Sequence, residues 1–209
     1  MVELLHERLG EVKVLHERIN RERDSSWQYP LPADHLLTLV YYNVYRALIA
    51  NVAILGLDLD LMVTDEYPSP FTPLSPTASS ALLSLPPSLQ PTSLQSSIAH
   101  HPQWDIVPDP AIRDNLLRKG EPNIDDVELC MDLIGSEARR SRHEASNEPA
   151  GCLVWGDPWS TDSWEVTEGF VKKYPWLFVG ARHIEQSTNS WRMKRDEPLL
   201  RFSELGVEF

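Results

Sequence analysis

The chain has little of several features that would assign a protein to a class at once. It contains two cysteines, Cys130 and Cys152, without the C-x-x-C spacing of zinc modules. No disulfide framework is implied, and reduced thiols in the cytosol or nucleus are the simplest interpretation, with one bridge between the two as the alternative. Lys and Arg number 19 against 31 Asp and Glu, a net charge of -12. This balance disfavours a generic phosphate-binding surface, so we expect no autonomous sequence-specific DNA binding.

No apolar run is both long and uninterrupted. The longest, residues 36–57, contains Arg46 near its centre, where a charge in lipid is costly. The N-terminus, MVELLHERLGEVK, lacks the apolar core of a secretory signal. We therefore expect a nuclear or cytoplasmic protein with no membrane association.

Recognisable catalytic motifs are also missing: there is no glycine-rich phosphate loop, HExxH, GxSxG or dinucleotide fingerprint. Two clusters contain groups suited to acid–base chemistry, the second beside three tryptophans: His100, His101 and Asp105, and Asp157, Asp162 and Glu165. Capping and turn chemistry account for the second cluster. We therefore expect no enzyme, no catalytic residue, no metal site and no cofactor, with an enzyme that uses the acidic, Trp-lined cluster kept as an alternative.

What the chain does have is tryptophan, concentrated in residues 151–191: Trp155, Trp159, Trp164, Trp176 and Trp191. So much aromatic area is either buried or used for binding. We expect these indoles to be interior scaffolding of a helical domain. The alternative is a small-molecule-binding domain whose pocket is lined by the first three of them.

The first 24 residues repeat apolar groups at heptad spacing. Gly10 and His16 interrupt the pattern, which favours an amphipathic helix packed on its own domain, with a zipper remnant as the alternative. Four side chains of the repeat are candidate contacts to a partner: Leu5, Leu9, Val12 and Ile19.

Composition divides the rest of the chain. The predicted segments are 1–24 (amphipathic helix), 33–61 (buried hydrophobic helix), 62–97 (disordered Pro/Ser-rich linker), 98–195 (Trp-rich helical domain) and 196–209 (tail). In the buried helix, Asn51 requires a hydrogen-bonding partner, and Arg46 requires either a partner or a solvent-facing position. The linker carries three Ser/Thr-Pro pairs that suit a proline-directed kinase, at Ser69, Thr72 and Ser75. The alternative is that they only keep the linker soluble.

Within the Trp-rich domain, Pro110 begins a short helix, and a second helix over 123–134 ends at Gly135. Residues 152–155 predict either a short buried strand or an extended core segment. The spacing of Asp162 and Glu165 predicts a capping box that starts a third helix, and Pro175 starts the last one. The fold predicted is mainly α, an irregular helical domain with Pro-anchored extended segments. Three arginines between the second helix and the strand form a candidate basic contact, with a solvated loop as the alternative: Arg139, Arg140 and Arg142.

Five blocks in this order resemble a known family. They are DHLLTLVYYNVYRALIANVAILG (34–56), SLQPTSLQSSIAHHPQWDIVPDPAIRDNLL (88–117), DDVELCMDLIG (125–135), GCLVWGDPWSTDSWEVTEGFVKKYPWLFVG (151–180) and STNSWRMKR (187–195). Together they are similar to a fungal domain of unknown function that lies C-terminal to the basic region of leucine-zipper (bZIP) transcription factors. One local departure is Gln103, which separates His-Pro from Trp104.

The resemblance implies a regulatory or interaction domain, whereas the basic DNA-reading helix of a bZIP factor has no counterpart among these residues. We therefore expect a non-enzymatic, transcription-factor-related fungal protein that acts through a protein partner, either a bZIP-type factor or a second copy of itself. No site residue is implied by the resemblance.

Overall fold

The structure is a computed structural model that describes residues 33–64, 66–72, 84–135 and 151–208, with the backbone alone for 33–42 and 63. Within these ranges lie five α-helices and one two-stranded sheet, joined by short 3₁₀ turns. The elements are α1 (Ala33–Ile54), α2 (Pro110–Lys119), α3 (Asp126–Ile134), β1 (Cys152–Val154), β2 (Trp164–Val166), α4 (Glu168–Lys173) and α5 (Arg182–Lys194). The predicted mainly α fold is confirmed.

The two strands form an antiparallel pair in which Cys152 lies opposite Val166 and Val154 opposite Trp164. A two-stranded sheet this short is not stable alone, so it depends on the helices around it. Helix α1 packs against β1, while α5 packs against β2 and the turn that precedes it. Helix α2 packs against the 3₁₀ turn Pro175–Phe178.

Local capping residues set the ends of helices α2 and α3. The Asp109 Oδ1 atom accepts hydrogen bonds from Ala111 N (2.9 Å) and Ile112 N (3.1 Å), and Pro110 occupies the first helical position. Helix α3 is capped by Asp125 and ends at Gly135, whose φ of 81° is left-handed. Both predicted helices are confirmed, and α3 is slightly shorter than expected.

The predicted capping box at Asp162 and Glu165 is wrong. Glu165 lies in β2 opposite Leu153, and α4 starts later, where Thr167 Oγ1 accepts a hydrogen bond from Phe170 N at 3.3 Å. The prediction for Pro175 is wrong in a similar way. It opens the 3₁₀ turn Pro175–Phe178, and α5 begins only at Arg182.

The Pro/Ser-rich segment is not a disordered linker where the structure describes it, at residues 62–64, 66–72 and 84–97. Met62, Phe71 and Leu89 are buried, as are the polar side chains of Ser69 and Gln95. The prediction assumed that proline leaves the backbone without partners. Here side chains from elsewhere in the fold supply these partners, such as Arg113, which donates to the Ser88 carbonyl. Residues 73–83 lie outside the described ranges.

The hydrophobic core joins segments that the sequence had separated. It runs from Val44 and Leu48 of α1 to Leu200, Phe202 and Val207. Phe202 is fully buried and meets Phe178 edge-on, with ring centroids 5.5 Å apart. Residues 200–207 are therefore part of the core and not a tail. Burying a phenylalanine side chain contributes about 2 kcal/mol to the stability of the fold. The described segments thus form a single core without domain boundaries at 61, 97 or 195.

The polar residues of α1 have the environments predicted for them. The Asn51 Nδ2 atom donates to Ile106 O (2.9 Å) and Pro158 O (3.0 Å), and Arg46 is exposed. Among the described helices, none combines the length and the apolar character that crossing a bilayer requires.

Candidate functional site

A buried polar cluster lies at the centre of the Pro-rich part of the fold. We call it the Asp105 cluster; it consists of Ser69, Gln95, His100, Asp105 and Arg113. The Asp105 carboxylate accepts from Ser69 Oγ (2.6 Å), Gln95 Nε2 (2.6 Å) and His100 Nε2 (2.9 Å). Every member is at least nine-tenths buried. The cluster thereby ties two Pro-rich segments to the domain.

Arg113, on α2, supplies the partners that the Pro-rich backbone lacks. Its Nε donates to Gln95 Oε1 at 2.9 Å. Its other nitrogens donate to three backbone carbonyls at 2.7–2.8 Å, those of Ser88, Gln90 and Val107. Burial lowers the pKa of Arg113 to about 10, so the guanidinium still carries its charge near neutral pH. The charge strengthens each of these hydrogen bonds.

The predicted acid–base set His100, His101 and Asp105 is thus partly assembled, because His100 and Asp105 are hydrogen-bonded. A serine is also present, but Ser69 binds the carboxylate and not the imidazole. In a nucleophilic triad the base must contact the hydroxyl that it activates. The second ring nitrogen of His100 contacts Ile98 O at 2.7 Å, so both nitrogens are already engaged. The geometry is that of a structural network.

The tryptophans are divided between the interior and the surface. Trp104 and Trp164 are each 4% exposed, whereas Trp159 and Trp176 are half-buried. Trp155 is 43% exposed. Of the five tryptophans predicted to be interior scaffolding, only Trp164 is buried and Trp155 contradicts the prediction; the other three are half-buried. Its exposure follows from its position just after β1, at the end of the sheet.

Trp155 belongs to an ordered surface feature that we call the indole–cation surface: Trp155, Trp191, Lys194 and Arg195. The two indoles stack, with centroids 5.6 Å apart and planes at 27°. Lys194 Nζ lies 3.6 Å from the Trp191 centroid, and the Arg195 guanidinium lies 5.2 Å from the Trp155 centroid. Trp191 and Lys194 share one side of α5 because they are three residues apart, and Arg195 follows directly as the C-cap residue of this helix.

Hydrogen bonds to buried or backbone groups hold this surface in place. Arg195 binds both carboxylate oxygens of Glu165, at 2.5 and 2.9 Å, and Trp155 Nε1 donates to the same carboxylate at 2.8 Å. Trp191 Nε1 donates to Asp162 O at 2.7 Å. Both indole N–H groups are therefore satisfied within the chain, and a partner that covers the rings leaves no indole donor without an acceptor.

The acidic, Trp-lined cluster does not assemble. Glu165 is 2% exposed and committed to Arg195 and Trp155, whereas Asp162 is on the surface and pairs with His183 Nε2 at 2.7 Å. Asp157 is exposed. Three carboxylates with separate environments do not form an acid–base pair around a shared substrate position.

A cavity of about 30 Å³ lies in the core and is bordered by Trp164, Cys152 and Asp109 among mostly apolar side chains. Ligand pockets usually enclose about 300–1,000 Å³. Trp155 and Trp159 do not line the cavity, so the proposed three-indole pocket is not formed there. In the described part of the chain, no group of three or more His, Cys, Asp or Glu is arranged to hold a metal ion.

Both cysteines are free and buried. Burial raises the pKa of each thiol to about 12, so neither is a reactive thiolate near neutral pH. The predicted reduced state agrees with the structure, and the alternative of a bridge between them does not.

The remaining predicted site residues fall into two groups. The heptad side chains Leu5, Leu9, Val12 and Ile19, the arginines Arg139, Arg140 and Arg142, and Ser75 all lie outside the described residues. Ser69 and Thr72 are described, and both are buried. They therefore do not form the exposed kinase substrate that the sequence suggested.

Sequence reasoning missed Arg113, Gln95, Lys194 and Arg195. A helical spacing of three and four residues from Trp191 was a usable signal for the last two. No local pattern pointed to the first two, because their partners lie far away in the chain.

Comparison with known families matches residues 67–186, more than half of the chain, to the family described as Domain of unknown function (DUF3425). The chain belongs to this family. The DUF3425 family is known in fungal bZIP factors, which agrees with the resemblance seen in the sequence blocks. The match covers the whole Asp105 cluster and ends inside α5, before Trp191. Comparisons with curated proteins and with solved structures gave no match.

Proposed function

We propose that this DUF3425 protein is a non-enzymatic fungal regulatory protein, related to bZIP transcription factors, that acts in the nucleus or cytoplasm through contact with a protein partner. The observation that carries the proposal is the family match, since DUF3425 is known in bZIP factors. The site geometry supports it, because the Glu165 and Asp105 carboxylates and the His100 imidazole are committed to structural contacts.

The indole–cation surface is our candidate contact region in the described part of the chain. Tryptophan and arginine are the residues most often found at energetic centres of protein interfaces. Here they are exposed yet held by internal hydrogen bonds, so little side-chain freedom is lost on binding. The ion pairs among the described residues do not include Lys194, so its ammonium is available to a carboxylate.

A zipper helix has the complementary chemistry. Its a and d positions are apolar and suit the exposed ring of Trp155, while its e and g positions often carry glutamate, which suits Lys194. We therefore propose a bZIP-type factor as the partner. Self-association through the heptads of residues 2–24 is the alternative.

The test is direct binding between the full-length chain and purified bZIP-type factors from the same fungus, measured by isothermal titration. We expect Trp155→Ala and Lys194→Glu each to weaken binding by at least about tenfold. Met193→Ala is the matched control, because Met193 is on the same helix, is 61% exposed and is two residues from Trp191, which places it on another side of α5. Equal binding by all three variants would remove this surface from the proposal.

Self-association is tested separately by comparing the mass in solution of the full-length chain with that of a chain lacking residues 1–24. If both are monomers, the heptads do not mediate a homodimer. The non-enzymatic part of the proposal would be overturned by turnover of any substrate that disappears when Asp157, Asp162 or Glu165 is changed to its amide.

A further inference from the structure

The Asp105 cluster includes His100, and histidine is the side chain whose ordinary pKa, about 6.5, lies closest to neutral pH. Three donors from two segments, residues 66–72 and 84–100, converge on one carboxylate, and Arg113 links the second segment to α2. The segments contain turns and short 3₁₀ pieces, with no long helix or strand to hold them. Their attachment therefore depends on this cluster, on the hydrogen bonds from Ser88 to Trp159 O and from Thr92 to Asp114, and on a few buried apolar side chains.

The position of the His100 ring requires two protons. Its Nδ1 faces Ile98 O at 2.7 Å and its Nε2 faces Asp105 Oδ1 at 2.9 Å. Both partners are acceptors, and a neutral imidazole has only one N–H to donate. In a neutral ring, one nitrogen lone pair would point at an oxygen inside the protein, which is unfavourable. Only the imidazolium, with a proton on each nitrogen, provides a donor to both acceptors.

The charges around His100 favour the same state. Burial lowers the pKa of His100, but the hydrogen bond and the negative charge of Asp105 outweigh burial and raise the pKa above its ordinary value. Glu121, in the turn before α3, adds to this effect, and its carboxylate accepts from the His101 backbone N–H at 3.1 Å. Two further charged groups of opposite sign belong to this region: the Arg113 guanidinium on α2 and the Asp109 carboxylate at its N-cap, which interact electrostatically with each other.

We propose that His100 is a proton-operated latch: in its charged form it holds residues 66–72 and 84–100 against α2, and loss of its proton releases them. When the ring becomes neutral, Asp105 loses its ion-pair partner and a buried acceptor loses its donor. The Ser69 and Gln95 hydrogen bonds to the same carboxylate weaken with it, because all three share one acceptor group.

Release also uncovers a second feature. The Ser69 hydroxyl is fully buried in the latched state and donates to Asp105, while the Ser69 backbone N–H donates to His100 O at 2.9 Å. The Ser69 and Thr72 side chains, each followed by proline in the sequence, are therefore hidden while the latch is closed. A protein that must read them gains access only in the released state.

The direction of the pH dependence follows from the raised pKa. The released segment has an ordinary histidine, with a pKa of about 6.5. Below this value both states are charged and the latch is fully effective. Between this value and the higher pKa of the folded state, release loses a proton, so the equilibrium constant for release rises by about tenfold per pH unit. Above the higher pKa, release no longer depends on pH.

The experiment is amide hydrogen exchange of the full chain between pH 6 and 9, with each rate corrected for its intrinsic pH dependence. We expect protection of residues 66–72 and 84–100 to fall by up to about tenfold per pH unit, while β1, β2 and α5 keep theirs. In parallel, an NMR titration should give a pKa for His100 above that of an unstructured histidine. A His100 pKa at or below the ordinary value, or protection independent of pH, would overturn the proposal.

Two variants sharpen the test. His100→Gln places a non-titrating amide donor near Asp105, and it should make the protection of both segments independent of pH. His183→Gln is the control, since His183 also pairs with an aspartate but on the surface; this variant should keep the wild-type profile. If His100→Gln does not fold, the wild-type titration and exchange profile still decide the question. A pH dependence that disappears equally in the control would assign it to surface charge and refute the latch.

Discussion

Replacing Arg113 by lysine tests whether the guanidinium attaches the Pro-rich segment to the domain. Arg113 is fully buried and makes four hydrogen bonds, three of them to backbone carbonyls. Lysine keeps the charge but has three donors on a single nitrogen and lacks the planar fork. At least one of the four acceptors must therefore lose its donor. Because the acceptors are spread around the guanidinium, we expect two of them to lose it.

The magnitude follows from the number of bonds lost. A hydrogen bond to a charged group contributes about 1.5–3 kcal/mol, so losing two lowers the free energy of unfolding by about 3–6 kcal/mol. With a urea dependence of about 2 kcal/mol per molar, the midpoint of unfolding should shift down by about 1.5–3 M. Tryptophan fluorescence is a suitable signal for this unfolding. Arg113 contacts the Ser88 carbonyl, and the Ser88 hydroxyl donates to the carbonyl of Trp159, so the segment lies beside a tryptophan.

The same substitution at Arg118 is the matched control. Arg118 is on α2 as well, but its side chain is 60% exposed and its ion pair with Asp114 lies on the surface. We expect Arg118→Lys to change the free energy of unfolding by less than about 0.5 kcal/mol. If Arg113→Lys behaves like this control, the hydrogen-bond geometry around the guanidinium does not stabilise the fold, and Arg113 does not attach the Pro-rich segment to the domain.

Other substitutions have equally definite outcomes. Gly151→Ala should cost more than about 3 kcal/mol in thermal unfolding, because its Cβ would lie 2.3 Å from the Asp132 carbonyl oxygen at a φ of 103°. Gly169→Ala, in α4 with open space around it, should instead stabilise by about 0.5–1 kcal/mol, and destabilisation there would contradict the helix. Asp109→Asn should raise stability more at pH 7 than at pH 4, since burial raises the pKa of Asp109 and its ionised form is penalised in the folded state. An equal effect at both pH values in urea titrations would show that this carboxyl titrates normally.

The parts of the fold that sequence predicted are those with local causes. Asp109, Pro110 and Gly120 define α2 within a dozen residues, and Gly135 ends α3 through its own backbone conformation. These signals need no knowledge of the rest of the chain. Glu165 shows the limit of such reasoning. Its spacing from Asp162 fits a helix cap, but its position in β2 puts it beside Arg195, 30 residues further along.

The packed Pro-rich segment could not be predicted for the same reason. Ser69 is 36 residues from Asp105, and Gln95 is 18 residues from Arg113. Composition correctly indicated that the described parts of the segment contain no α-helix or β-strand. It could not indicate that one buried arginine and one buried carboxylate would replace those missing partners. The candidate surface was partly predictable. The sequence showed the tryptophans, but the exposure of Trp155 depends on where β1 ends.

The close approach of Gly151 to the end of α3 has a consequence for how the chain tolerates change. A Cβ on Gly151 would lie 3.0 Å from Gly135 N, so the two glycines bring residues 135 and 151 side by side although fifteen positions separate them in sequence. The free-energy cost of closing a chain between two ends that lie this close together changes only slowly with the number of residues between them. We therefore expect the length of the sequence between residues 135 and 151 to be open to change, as long as the two glycines are kept.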